Sequence, residues 1–358
     1  MDLFSPIDLG DLHLDNRVVM APLTRVRSGA EGVPTALVAE HYAQRASVGL
    51  IISEGVYPGR DSRGYFGQPG IVNDEQEAGW RRVAERVHAE GGTIVMQLMH
   101  AGRVSHPDLT DTGRTLGPSP VAIEGEVHTQ HGKKEHVTPT ALSAEELAIV
   151  RDEFVEAANR AVRAGFDGVE LHGANGYLLH QFLSPASNVR TDGYGGSAEA
   201  RARFVIEVAE AVAAEIGGGR VGIRISPSHN IQGVLETDEA ETRRTYEALL
   251  AGLAPLGLAY LSVLHKDPMT ALVQDLRERF GSGFIVNTGF STHTDRNEAL
   301  ALLEHAHADA VAVGRAIIAN PDLVERWRLE APENAPRPEL FYSPGAEGYT
   351  DYPFLRAG

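Results

Sequence analysis

Cysteine is absent from all 358 residues. That excludes disulfides, thiolate metal sites, iron–sulfur clusters and a cysteine nucleophile. It suits a reducing compartment, so a cytoplasmic protein is expected. Long apolar runs are missing as well. Runs such as Gly49-Leu50-Ile51-Ile52 and Tyr260-Leu261-Ser262-Val263-Leu264 have the length of buried strands. They fall far short of the roughly 18 residues that a membrane span needs. The opening Met1-Asp2-Leu3-Phe4-Ser5-Pro6 has neither the basic nor the apolar region of a secretory signal, and none is expected. Positive charge is scarce: 32 Lys and Arg stand against 49 Asp and Glu, a net charge of −17. Such a chain repels phosphate backbones and anionic bilayers, so neither nucleic acid nor a membrane surface is an expected partner. No low-complexity tract or biased linker marks a domain boundary, although 109–140 reads as a long loop.

With 42% apolar and 23% charged residues, the composition is that of an ordinary globular protein. Short apolar runs alternate with helical patterns from about residue 16. The strand candidates are Arg17–Ala21, Leu50–Ser53, Thr93–Gln97, Gly168–Leu171, Val221–Ile225, Tyr260–Val263, Phe284–Asn287 and Ala310–Val313. Each is apolar on consecutive positions, as a parallel strand buried on both faces reads. Helices are expected between them, at about 35–47, 74–89, 143–162, 199–216, 238–253, 270–280, 293–305 and 320–329. Ser143 with Glu146 forms a capping box, and Asp74 with Glu77 offers a similar start. Eight such alternations predict an α/β protein with a (β/α)₈ barrel, and an open doubly wound sheet is the alternative. Ile7–Leu9 and Leu12–Leu14 flank Gly10-Asp11, a hairpin signal placed to plug the barrel floor. The segment 109–140 follows strand 3, where a long loop on the catalytic face is expected to serve as a lid or a specificity element.

In such a barrel the working residues lie just past the C-terminal ends of the strands. Those places hold Pro22-Leu23-Thr24-Arg25, Glu54-Gly55, Gln97 with His100, His172 through Tyr177, Arg224, His265-Lys266, Gly289 and Gly314-Arg315. The set has no carboxylate pair for glycoside hydrolysis and no His-x-His with a later acid for a metal hydrolase, so no metal is expected. It is rich in neutral donors and Arg, which suits a polar heterocycle carrying a phosphate. Glycines after strands 7 and 8 let a backbone approach an anion, and Arg315 can bind one bidentately. The same glycines also serve simply to end strands. His172 and Asn175 can aim donors at one oxygen and stabilise charge developing there. Tyr177, a phenol, can deliver a proton.

These residues resemble the old yellow enzyme family of flavin-dependent ene-reductases, nearly end to end. The resemblance is carried by Leu3-Phe4-Ser5-Pro6-Ile7-Asp8-Leu9-Gly10, by 16–25 and by Gln97-Leu98-Met99-His100-Ala101-Gly102-Arg103. The most specific stretch is 171–197, and 314–321 and 348–353 complete it. It implies one FMN-binding barrel domain over 1–358. Pro22, Leu23 and Thr24 would line the isoalloxazine, with the Thr24 hydroxyl on O4. Gln97 would pair with N3–H and O2, Arg224 would sit near N1, and Gly55 would leave room for the ring. Gly289, Gly314 and Arg315 would hold the phosphate. The implied reaction passes hydride from NADPH or NADH through FMN to the β-carbon of an alkene conjugated to a carbonyl or nitro group. His172 and Asn175 would hold the substrate oxygen, and Tyr177 would protonate the α-carbon. Tyr65, Met99, Gln232 and Tyr342 resemble substrate-pocket residues.

Met99 stands where some members carry Trp, which implies a wider pocket. Thr24 places the chain in the Thr branch rather than a Cys branch. His180 replaces an acid of some relatives and is expected to pack or cap. His100 and Arg103 are expected to be structural, and His265 and Lys266 have no matching role. A reductase acting mainly on nitrate esters or nitro compounds would use the same residues. A non-catalytic flavin binder would not need His172, Asn175 and Tyr177 together.

Overall fold

Strand-length apolar runs with no polar face must be covered on both sides, and they are. A computed structural model of the chain describes residues 2–289, 293–305 and 307–355. Eight parallel strands close into a barrel: β3 (Val18–Met20), β4 (Leu50–Ile52), β5 (Ile94–Leu98), β10 (Gly168–Gly173), β11 (Val221–Ile225), β12 (Tyr260–Leu264), β13 (Gly283–Asn287) and β14 (Ala310–Val313), with β14 pairing back to β3. The open-sheet alternative is thereby excluded. Helices α1 (Ala36–Ala43), α2 (Asp74–Ala89), α3 (Ala144–Arg163), α5 (Ala198–Ile216), α6 (Glu239–Leu253), α7 (Ala271–Phe280) and α8 (Arg296–Glu304) connect the strands. Among the described residues, no helix is long and apolar enough to cross a membrane.

Alternation along each strand divides the molecule into two apolar regions. Outward residues such as Val169, Leu171, Ile223 and Leu261 pack against the helices. Inward residues such as Val19, Leu50, Val95, Tyr260 and Ile285 fill the lower barrel. The hairpin of β1 (Ile7–Leu9) and β2 (Leu12–Leu14) adds Leu9, Leu12 and Leu14 to that inner cluster, so it does plug the floor. Gly10 turns the hairpin at φ +57°, and a Cβ there would lie 2.6 Å from the Gly219 carbonyl oxygen.

Several sequence expectations need correction. The cap of α2 is Asn73, whose side chain accepts from the Gln76 N–H, and not Asp74; the capping box of Ser143 and Glu146 is as expected. The helix expected at 320–329 is present as the shorter α10 (Leu323–Arg328), and a further short helix, α9 (Arg315–Ala319), precedes it and ends before Pro321, which cannot continue a helix from Asn320. A short helix, α4 (Leu178–Leu183), follows β10 unforeseen. The segment 109–140 is no plain loop. It contains the antiparallel hairpin of β7 (Glu126–Thr129) and β8 (Gly132–Glu135), and β6 (Leu116–Gly117) pairs in parallel with β9 (Thr140–Ala141). Hairpin strands reading Glu-Val-His-Thr and Gly-Lys-Lys-Glu lack the apolar content that marks a strand.

Candidate active site

At the C-terminal end of the barrel the inward residues turn polar and a cavity of about 790 Å³ opens. It gathers nearly every residue singled out from the sequence: Pro22, Leu23, Thr24, Tyr65, Gln97, Met99, His172, Asn175, Tyr177, Arg224, Gln232, Gly289, Gly314, Arg315 and Tyr342. Gly55 is not among the lining residues. A Cβ at Gly55 would lie 2.6 Å from the Met99 sulfur, so its bareness makes room for that side chain first. His100, Arg103, His265 and Lys266 are not in the lining either. His100 Nδ1 accepts from the Gly102 N–H, and burial pushes its imidazole down to about 3. Arg103 donates to the carbonyls of Val121 and Gln232, which joins the lid segment to the loop after β11.

The loop after β10 carries three of the key side chains. Asn175 takes φ +58° and Gly176 φ +80°, a left-handed pair that reverses the chain before α4. The bend is bracketed on three sides. Asn175 N–H donates to Ser226 Oγ at 2.9 Å, its carbonyl accepts from Gln232 Nε2 at 2.7 Å, and Gly176 N–H donates to His180 Nδ1 at 3.0 Å. Because Nδ1 accepts there, the His180 proton sits on Nε2 and points at Glu236, 3.2 Å away. The Tyr246 hydroxyl and the Ser228 N–H also donate to Glu236. His180 therefore packs and caps, as expected.

Burial, then Arg224 and His180, hold the His172 imidazole well below its usual range, so it is neutral. Burial raises the Tyr177 phenol above its ordinary value near 10, and its hydroxyl lies 2.7 Å from that of Tyr65. Tyr177 and His172 rings stand 4.9 Å apart. His172 Nδ1, Asn175 Oδ1 and Arg224 Nε are buried without hydrogen-bond partners. Gln97 gives one amide hydrogen to Glu170 Oε1 at 2.7 Å, and its other hydrogen and its oxygen remain.

The opposite wall belongs to the segment after β3. Its backbone is held by Glu54, whose Oε2 accepts the N–H groups of Arg25 and Val26 at 3.0 Å each. Arg25 and Arg27 then clasp the C-terminal segment through the carbonyls of Phe341, Gly348, Leu340 and Gly345, and both stack on Tyr349. This latch brings Phe341 and Tyr342 to the cavity. Sequence reasoning missed Phe66, His128, Thr129, Ile231, Thr294, Ile318 and Phe341 in the lining and Glu170 behind it, and it placed Glu54 and Asn287 at strand ends without giving either a role. Arg25 and Glu54 stood at strand ends and were open to notice, whereas the C-terminal residues lie far from any strand.

Comparison with known proteins bears on this cavity. The profile of the NADH:flavin oxidoreductase / NADH oxidase family matches residues 2–334. The chain belongs to the old yellow enzyme family. A probable flavin mononucleotide-dependent alkene reductase of Leishmania infantum is 41% identical over 362 residues, covering 99% of this chain and 97% of the relative. Morphinone reductase in complex with tetrahydroNAD superposes with a TM-score of 0.93 at 45% identity, covering 99% of this chain and 98% of that one. The old yellow enzyme homologue from Zymomonas mobilis gives 0.93 at 36% identity, covering 99% and 100%. As a member of the old yellow enzymes, the chain is an NAD(P)H-dependent flavin oxidoreductase with FMN as cofactor. The cavity fits that group. Unpartnered donors and acceptors on Gln97 and Arg224 suit a planar heterocycle with an amide-like edge. Gly289 (φ +100°), Gly314 and the exposed Arg315 offer an anion site at another part of the wall.

Proposed function

We propose that the enzyme uses NAD(P)H to reduce alkenes conjugated to a carbonyl or nitro group. The observation that carries this reading is the convergence of His172, Asn175 and Tyr177 on the FMN cavity, two of them with buried polar atoms left unpartnered. Pro22, Leu23 and Thr24 would flank the isoalloxazine, Gln97 and Arg224 its pyrimidine end, and Gly289, Gly314 and Arg315 the phosphate. When bound, FMN supplies the two-electron relay between NAD(P)H and the alkene.

The protein's part is binding, polarisation and proton delivery. His172 and Asn175 hold the substrate oxygen. A neutral imidazole and an amide are fixed dipoles in a low-dielectric wall, so they stabilise the charge that grows on that oxygen without first being desolvated. Tyr177, protonated at neutral pH because burial raises its phenol, gives its proton to the α-carbon. Tyr65, hydrogen-bonded to Tyr177, orients the hydroxyl. Met99 and Tyr342 bound the substrate space, and Gln232 braces the Asn175 carbonyl. Because one cavity serves both the reductant and the alkene, the kinetics are expected to be ping-pong, with parallel initial-rate lines.

Single-turnover rates of the two half-reactions test the assignment. Tyr177→Phe should slow alkene reduction by about 10²–10⁴-fold and leave reduction by NADPH within a few-fold of wild type. Equal alkene rates in the two proteins would remove Tyr177 from the proton-donor role.

A further inference from the structure

We propose that Glu170 is a positioning residue for the flavin: its carboxylate sets the direction of the Gln97 amide and offsets the Arg224 guanidinium, and so keeps the reduction potential of bound FMN low. This rests on the reading that places the pyrimidine end of FMN against Gln97 and Arg224.

Glu170 is fully buried inside the barrel, one layer beneath the cavity. In the strand register it stands opposite Gln97 on β5, and His172, two residues on, stands opposite Arg224 on β11. Residues alternate along a strand, so Glu170, His172, Gln97 and Arg224 share the inward face. Gly222, Glu170's partner on β11, carries no side chain. A Cβ there would lie 2.2 Å from the Tyr260 ring, which fills the space and brings its hydroxyl beside the carboxylate. The carboxylate thus receives the Gln97 N–H at 2.7 Å and faces the Arg224 charge, while its Oε2 has no hydrogen bond. Burial raises the carboxyl, and Arg224 is the first influence that opposes that rise.

Packing does not account for an acid here. Buried acid and base groups are often no better for stability than apolar residues of similar volume, so the acid's presence needs another reason. Two consequences reach the cavity. A carboxylate only accepts, so Gln97 must turn an N–H toward it and present its oxygen and remaining N–H elsewhere. That is the donor–acceptor pair which an imide-like edge requires. The second consequence is charge. Arg224 alone would favour electron density arriving at the pyrimidine end, and the anion behind it cancels part of that field.

Redox titration of the FMN-loaded protein tests this. In E170Q, affinity for reduced over oxidised FMN should rise at least tenfold, a gain of about 30 mV for a two-electron couple. In R224Q it should fall. An E170Q holoenzyme with the wild-type potential, alongside a shifted R224Q, would overturn the role of Glu170 and leave the flavin placement standing. If neither variant moves the potential, the placement itself fails and the proposal with it. Should E170Q not fold, the double variant E170Q/R224Q removes both charges and leaves none unpaired. Its potential should lie at least tenfold back toward wild type from R224Q, and equality with R224Q would overturn the proposal.

Discussion

Tyr177 and His172 are both buried and both held uncharged, as the proposed proton donor and oxygen-holding donor would need to be. A phenol raised above 10 keeps its proton throughout the neutral range, and an imidazole held well below 6.5 gains none there. The alkene half-reaction should therefore show no alkaline fall below about pH 10 and no acidic fall between about pH 6 and 7. A limb near pH 6.5 that disappears in His172→Ala would contradict this. Glu153 gives a separate prediction for stability. Its carboxylate lies against Gly59, and burial, then Asp61, pushes it up to about 7 from the usual 4.5. Between those values the folded chain holds a proton that the unfolded chain has released. Stability is thus lost as pH rises through that window and is not lost further above it. Glu153→Gln should melt a few degrees above wild type at about pH 8, with the gain gone at about pH 4. A constant difference at both pH values would contradict it. Glu170 was hard to notice because it lies within a strand and not beyond one, although an acid between Val169 and Leu171 was a visible signal.

At the scale of elements, the cavity walls depend on brackets that tie one loop to another. Glu54 closes the segment after β3 by accepting two backbone N–H groups in a buried setting. Glu54→Ala would strand both, at about 1–3 kcal/mol each. The expected outcome is a lower melting temperature and weaker FMN retention, read from FMN fluorescence released on dilution. Unchanged retention would show that the loop holds itself. The His180–Glu236–Tyr246 cluster braces the bend at Asn175 and Gly176 in the same way. Loss of the imidazole in His180→Ala should lower kcat for the alkene more than it changes KM for NADPH. Elements such as these show where the sequence was readable. Apolar runs such as Tyr260–Leu264 named themselves as strands because burial on both faces leaves no polar position. The lid hairpin was hidden because one of its strands, Gly132–Glu135, is polar and largely exposed. The short helix Arg315–Ala319 was hidden because it is too short to show a helical period.

For the whole molecule, the barrel converts eight separated strand ends into one polar rim above an apolar plug. That is why residues as distant in sequence as Thr24 and Arg315 line a single cavity. The rim was largely legible because strand ends could be located from the strands, and the C-terminal latch was not, because it reaches the rim only by folding back over Arg25 and Arg27. In the proposed reaction one FMN site takes electrons from NAD(P)H and delivers them to an activated alkene. Anaerobic visible spectroscopy of the purified protein tests it most directly, with NADPH added first and 2-cyclohexenone second. The expected result is a flavin spectrum that bleaches with NADPH and returns in full with the enone. A spectrum that bleaches but stays reduced in the presence of the enone, and returns only with a nitrate ester, would contradict it.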